Sequence, residues 1–322
     1  MNSAVCTLFE GDYHYGVAAL ANSLHRSGFR GKLYAGHRGD IPQWAMTAVP
    51  SPLQAWPSAR TLQIDEGIKI VFLPVTTDYH LTNYKADFML ALFDGPAGDA
   101  ESLFYLDPDI CVAAPWSYFE DWVNCGVAVC EDMNSPLPEN HPRRTGWRRY
   151  FSARGPQLRF RGTEYVNGGF VGLRVQDKGF LETWSVLMHH MAEEIGSLAS
   201  AKINGGEAYK TSGFADCFDC SDQDALNATL EATDRVISVV GQEAMGFRPG
   251  RALLPHAVGG SKPWQRNYLW SALNGVPPRL IDKAFWRNVA TPIKAYSDLS
   301  VEIKRIDIAS AAAIGRFVRR TG

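Results

Sequence analysis

Long apolar runs are missing from this sequence: no stretch approaches the roughly 18–20 consecutive apolar residues that a bilayer-spanning helix requires, so no such helix is expected. The opening, MNSAVCTLFEGDYHYG, lacks both the basic start and the long apolar middle of a secretory signal, and the chain reads as soluble and cytoplasmic. Charge of one sign is also missing. With 32 Lys plus Arg against 34 Asp plus Glu the net charge is −2, which supplies no global field for nucleic acid, and no nucleic-acid partner is expected. Six cysteines in 322 residues are too few for a disulfide scaffold. Cys217 and Cys220 form a CxxC that Cys125 and Cys130 would have to complete into a zinc site; with no second CxxC, scattered reduced thiols are preferred. Repeats and low-complexity tracts are absent.

What is present is core material. Hydrophobic residues make up 46% of the chain and charged ones 20%, enough for one large domain with an appendage. SAVCTLF, then a helical pattern from Tyr13 to Ser27, then KLYAG read as strand, helix, strand. IKIVFLPV (68–75) reads as a buried strand, residues 83–95 as a helix ending at Gly95, and SLFYLDPDICVAAP as a strand with two carboxylates in its middle. CGVAVCED (125–132) and NGGFVGLR (167–174) are further strands, followed by a helix from Phe180 to Ile195, another starting near Ser221 as N-cap, and a last buried strand, VISVV. The alternation predicts a mostly parallel sheet covered on both faces, with a mixed, partly antiparallel extension.

Asp107 and Asp109 stand where the apolar strand LFYL ends, the edge at which ligand crevices open in parallel sheets. Two carboxylates side by side repel unless a cation or proton sits between them, so Mg2+ or Mn2+ bridging to a phosphate is one reading and a solvated turn the other. In PHAVGGSKPW (255–264), His256 offers an imidazole for a metal, Gly259 and Gly260 let backbone N–H groups approach an anion, and Lys262 adds a point charge for phosphate. A Gly-rich turn with a surface lysine and a core Trp264 is the bland alternative.

Together these segments resemble the retaining, metal-dependent glycosyltransferases of family 8, in which a hydrophobic strand ends in DxD and a late HxxGxxKPW follows. YLDPDI and His256, Gly259, Lys262, Pro263 and Trp264 fit, with YVNGGFVGLR and SDQDALN between them in the family's order, over residues 4–264. The resemblance implies the GT-A fold, a Rossmann-like, mostly parallel mixed sheet flanked by helices. It implies a catalytic domain over 1–264, with 143–161 a basic insertion or lid, and a C-terminal helical extension over 265–322. It implies Asp107, Asp109 and His256 as ligands of Mn2+ (or Mg2+) and a UDP-sugar donor. Donor contacts would come from Leu8, Phe9, Tyr13, Lys85, Asp107, Gly168, Gly259 and Lys262. Asn167, Asp222 and Gln223 would meet the sugar and its anomeric face.

Some of these residues have plainer readings: Tyr13 as packing, Asp222 as a first-turn acid, Gln223 as surface, and Asp132 as an exposed strand-end acid rather than part of the sugar or acceptor pocket. Glu10-Gly11-Asp12 lacks the family's paired small polar residues. The acceptor implied is a glycan or glycolipid of bacterial surface-glycan assembly, such as lipopolysaccharide or capsule.

Two segments stand out in composition. Residues 143–161 hold seven arginines and no acid, interleaved with Trp147, Tyr150, Phe151 and Phe160, and read as a cationic, aromatic surface, either an acceptor-side lid, a site for an anionic glycolipid, or a solvated loop. The tail over 301–322 places Ile303, Ile306, Ala313, Ile314 and Phe317 near one helical face, with Lys304, Arg305, Arg316, Arg319 and Arg320 adding charge. It reads as a helix for peripheral contact with anionic membrane or for docking on the catalytic domain. Two other function classes use the same residues: a phosphatase of the haloacid dehalogenase type, which opens on a strand plus DxD, and a nucleotide-sugar or glycan-binding module without turnover.

Overall fold

The computed structural model describes residues 2–201 and 217–318. The chain runs β1 (Ser3–Phe9), α1 (His14–Arg26), β2 (Gly31–His37), β3 (Val49–Pro50), β4 (Arg60–Asp65), β5 (Ile68–Pro74), α2 (Lys85–Phe93), β6 (Ser102–Leu106), α3 (Trp116–Trp122), β7 (Val127–Glu131), α4 (Pro142–Ser152), β8 (Val166–Arg174), α5 (Gly179–Ile195), α6 (Ser221–Ala232), β9 (Ile237–Val240), α7 (Tyr268–Leu273), α8 (Leu280–Arg287) and α9 (Asp298–Phe317). Among the described residues nine strands form one sheet in the order β3-β4-β5-β2-β1-β6-β8-β7-β9. β5, β2, β1 and β6 are mutually parallel, β8 runs antiparallel between β6 and β7, and β9 pairs parallel with β7.

The runs SAVCTLF and SLFYL are mostly apolar and carry no charge because both faces of β1 and β6 are covered; every residue of each is buried. One face carries α2, α4, α5 and α6, which bring Phe88, Trp147, Trp184 and Leu226 into a common core. The other carries α1 and α3, with Leu20, Trp116 and Phe119. Helices α7–α9 fill the described part of the C-terminal extension and pack on α1 around Tyr268, Phe285 and Trp286. Asn22 on α1 fastens this contact, donating to the carbonyls of Asn288 (2.7 Å) and Ile293 (2.8 Å) and accepting from the Ile293 N–H. No described helix is long and apolar enough to cross a membrane.

Several expectations change. The 143–161 segment is not an aromatic surface: α4 buries Trp147, Tyr150 and Phe151 completely. Its Arg143 pairs with Asp224, while Arg144 and Arg148 pair with Glu231 at 2.5 and 2.7 Å, so three of the seven arginines hold the helix to α6. Ser221 is the first residue of α6 rather than its N-cap; Cys220 is the cap, and the Ser221 hydroxyl donates to Asn83 instead. VISVV is a half-buried edge strand. In α9 the buried stripe is Val301, Ile308, Ala311 and Gly315, leaving Ile303, Ile306 and Phe317 exposed because a different stripe already meets the domain. Arg319 and Arg320 lie outside the described residues.

Candidate metal and nucleotide-sugar site

The site begins where β6 stops. Asp107 follows Leu106, and the Ile110 N–H bonds back to the Asp107 carbonyl (3.1 Å) across Pro108 and Asp109, so a turn brings the two carboxylates together. Gly16 permits this: a Cβ there would lie 2.2 Å from the Pro108 carbonyl oxygen, so no other residue lets α1 pack so closely on the turn.

A short antiparallel splice then delivers the distant histidine. Cys111 N–H donates to Pro255 O (3.1 Å), Ala257 N–H to Asp109 O (3.1 Å) and Ala113 N–H to Leu253 O (2.8 Å), with Ile110 opposite His256. The ligand atoms of Asp107, Asp109 and His256 consequently lie within 4.8 Å of one another. His256 Nε2 is 3.1 Å from Asp109 Oδ1 and 3.7 Å from Asp107 Oδ2. Lys262 Nζ donates to Asp109 Oδ2 and to Ala257 O, both at 2.7 Å. Burial would push the Asp109 carboxyl up, but His256 and Lys262 outweigh it and hold that carboxyl well below the ordinary range. Lys262, whose burial favours the neutral amine, is nonetheless raised by Asp109.

The third wall is the start of β8. Gly168 and Gly169 are small because the space beside them is taken: a Cβ on Gly169 would stand 2.5 Å from His256 Cε1 and 3.0 Å from Asp107 Oδ2, and one on Gly168 would meet Asp222 Oδ2 at 2.7 Å. Lys85, at the first turn of α2 and 3% exposed, donates to Gly168 O (2.9 Å) and Asp222 Oδ2 (2.8 Å) and sits 3.1 Å from Asp107 Oδ1. Burial alone would lower its pKa; Asp107 and Asp222 instead raise it, so the ammonium is firmly charged. Gln223 accepts from Gly168 N–H (3.0 Å). Asn167 accepts from Gly169 N–H (2.9 Å) and donates to Asp132 Oδ2 (2.7 Å), so Asp132 is buried in the site and is no exposed strand-end acid.

The residues that the resemblance assigns to metal, donor and sugar line a single cleft of about 580 Å3: Leu8 and Phe9 at the end of β1, Tyr13 just beyond it, then Lys85, Asp107, Asp109, Asn167, Gly168, Asp222, Gln223, His256, Gly259 and Lys262; Gly260 and Trp264 do not line it. Tyr13 is half-buried, edge-on to Trp264 with centroids 5.5 Å apart, and Lys262 Nζ lies 5.7 Å from its ring centre. Gly259 adopts φ +84°, which favours glycine. Asp12 accepts from Trp264 Nε1 (3.0 Å) and Gln265 Nε2 (2.6 Å), tying the late loop to the end of β1. The cleft also takes in His80 and Asn134, which carry no sequence signal, Tyr165 and Cys220, to which the sequence pattern assigns no role in a ligand site of this kind, and Tyr105, whose hydroxyl donates to Asp107 Oδ1 at 2.9 Å. Tyr105 was findable: two residues before Asp107 on a strand, it shares a face with it. A smaller cavity of about 270 Å3, lined by Lys32, Tyr34 and Asp99 among others, contains none of these side chains.

Two carboxylates and an imidazole form a donor set that could hold a divalent cation. His256 is 8% exposed with its Nε2 facing both carboxylates, and a side chain at Gly169 would collide with His256 and Asp107, so the residues present fit a divalent cation. The cysteines form no comparable group among the described residues.

No protein-family model and no curated protein matches this sequence. Solved structures do match in fold. The galactosyltransferase LgtC in complex with donor and acceptor sugar analogs aligns with TM-score 0.51 and 14% identity over 90% of this chain and 97% of that one. An active-site mutant of LgtC gives TM-score 0.53 and 12% identity over 92% and 98%. The glycosyltransferase GlyE of Streptococcus pneumoniae TIGR4 gives TM-score 0.51 and 15% identity, covering 96% of this chain and 64% of the GlyE chain. The parallel β5-β2-β1-β6 core, the antiparallel β8 beside it and the flanking helices thus make up a GT-A-like α/β fold, similar to that of the family 8 galactosyltransferase LgtC.

Proposed function

We propose that this protein is a metal-dependent, retaining glycosyltransferase that moves a hexose from a UDP-sugar to a glycan or glycolipid acceptor. The observation that carries the reading is the convergence of Asp107, Asp109 and His256 in one cleft with Lys85 and Lys262, at the carboxyl edge of a parallel sheet. Asp107, Asp109 and His256 would hold Mn2+ or Mg2+, which when bound supplies Lewis-acid charge to a diphosphate.

The protein's own residues account for the rest of the chemistry. Tyr13 offers a face to the uracil, with Leu8 and Phe9 beside it. Lys262 and the Gly259 backbone would face the diphosphate and stabilise the charge that grows on the departing β-phosphate oxygen as the glycosidic C–O bond breaks. Asn167, Asp222 and Gln223 orient the sugar. The acceptor hydroxyl attacks from the same face and gives its proton to the departing phosphate oxygen, so no protein acid is needed. Asp132 belongs to the sugar or acceptor wall. Residues 1–264 form the catalytic domain in this reading.

The phosphatase reading loses ground because its nucleophilic Asp belongs on the first strand; Asp107 follows β6 and shares its site with an imidazole. UDP release from UDP-sugars with and without Mn2+ tests the proposal. Mn2+-dependent release is expected; cleavage of p-nitrophenyl phosphate instead would favour the phosphatase, and binding without turnover the module. Thermal shift with UDP-glucose, UDP-galactose and UDP-N-acetylglucosamine identifies the donor.

Exposed Ile303, Ile306 and Phe317 beside Arg305 and Arg316 support peripheral contact of α9 with anionic lipid. Deleting residues 301–322 is expected to reduce co-sedimentation with anionic liposomes, and unchanged binding would remove this part.

A further inference from the structure

The loop from Val258 to Lys262 carries the groups that would face a diphosphate, yet Gly259 and Gly260 have nothing within 4 Å of where a Cβ would be and give it no packing of their own. Left to itself, such a segment would sample many conformations. What brackets the two glycines is a residue of the C-terminal extension. Arg279 donates from Nη1 to Val258 O (3.1 Å) and from Nη2 to Ser261 O (2.7 Å).

Its guanidinium is aimed in turn by Asp282, which is fully buried and accepts from Arg279 Nε (3.2 Å), Nη2 (3.0 Å) and backbone N–H (2.7 Å), and from Arg266 Nη1 (2.7 Å). Arg266 is itself tied to the carbonyls of Val276 and Pro277. Arg279 is not among the residues lining the cleft.

We infer that Arg279 is a positioning residue of the donor site, holding the glycine loop so that Lys262 and the loop N–H groups meet the diphosphate in a fixed arrangement. Two carbonyls committed to a cation behind the loop are kept from turning toward an anion in front of it. The planar, five-donor guanidinium suits this, since it can hold two carbonyls and a carboxylate at once. Through Asp282 and Arg266, the extension becomes part of the donor site rather than an appendage. This inference rests on the donor-site reading above.

The test compares Arg279→Gln and Arg279→Lys with the wild-type chain. The α8 cap bond from the Arg279 backbone N–H and the Asp282–Arg266 pair remain in both variants, so both should fold, Arg279→Gln with a lowered thermal midpoint because its side-chain bonds to Asp282 are lost. Amide hydrogen exchange without metal should speed up across residues 257–262 in Arg279→Gln and not in α8. The Kd for UDP in the presence of Mn2+ should rise about tenfold, the effect of losing roughly one charged hydrogen bond, with Arg279→Lys recovering part of it. Unchanged exchange in the loop, or faster exchange with unchanged UDP affinity, overturns the inference while leaving the donor site standing. A wild-type chain that does not bind UDP at all overturns the donor-site reading and this inference with it.

Discussion

Along α6, Arg143, Arg144 and Arg148 meet Asp224 and Glu231; in the cleft, Lys85 and Lys262 meet Asp107, Asp109 and Asp222, the last at the start of the same helix. Both are ion clusters drawn out of water, and both join segments distant in sequence. They differ in where the carboxylate oxygens point. Glu231 receives Arg144 Nη1 on Oε1 and Arg148 Nε on Oε2, and Asp224 receives Arg143 and Tyr165 on Oδ1 and the Cys220 N–H on Oδ2. The arginine cluster spends each oxygen on the protein itself. In the cleft, Asp107 Oδ2 and Asp109 Oδ1 turn toward the same imidazole, so three potential ligands converge. A buried cluster whose acceptors are individually satisfied holds a fold together; one whose acceptors share a direction has room for a ligand.

The largest expected effect breaks the cleft cluster. Asp109→Asn keeps the shape and removes one hard ligand together with the charge facing His256 and Lys262. Since such an ion contributes several kcal/mol to charge stabilisation, Mn2+-dependent UDP release should fall roughly a thousandfold or more. Steady-state rates over a Mn2+ titration measure this, and full metal-dependent turnover would dissolve the contrast between the clusters.

Removing the acid from the other cluster should reverse the pattern. Glu231→Gln leaves Arg144 and the partly buried Arg148 without their counter-charge, and breaking a buried pair on one side costs about 3–5 kcal/mol, nearer the lower figure here because Arg148 retains some solvent. Urea unfolding should show the lowered midpoint, while UDP affinity of the folded fraction stays at the wild-type value. A loss of UDP affinity with unchanged stability would mean the arginine cluster serves the cleft after all.

The two clusters also differed in how readable they were. DxD and HxxGxxKPW could be recognised because side-chain type and spacing are dictated by the chemistry they would perform, and the strands behind them are continuous apolar runs. The convergence itself rests on features with little local signal: the turn at Pro108, the backbone splice at Ile110 and His256, and the close approach at Gly16. Helix α4 was obscured by its charge. Trp147, Tyr150 and Phe151 are spaced as one helical face and Pro142 sits at the first position, yet the arginines dominated the composition. β3 and β4 escaped because they lie at the open end of the sheet, where β3 is exposed and β4 half-buried at best, without an apolar run. In α9 two apolar stripes compete, and only the packing of α7 and α8 selects the one through Val301 and Ile308.

The smallest effect probes the boundary, where Cys220 touches both clusters: its backbone N–H donates to Asp224 Oδ2 (2.8 Å) and its Sγ lies 3.7 Å from Asp222 Oδ1. Although it lines the cleft, burial, followed by the charges of Asp222 and Asp224, pushes its thiol well above the ordinary value. The thiolate is the nucleophile, and a raised pKa keeps the group protonated at neutral pH, so iodoacetamide at pH 7.5 should modify the exposed Cys125 first and Cys220 far more slowly. Raising the pH through 9 should increase the Cys220 rate without a plateau, read peptide by peptide by mass spectrometry. Asp222→Asn removes one of the two carboxylates and should speed modification at fixed pH. A Cys220 as reactive as Cys125 at pH 7.5 would mean that the acidic surroundings of the α6 start do not act on the thiol, and that the two clusters are electrostatically separate at the point where they meet.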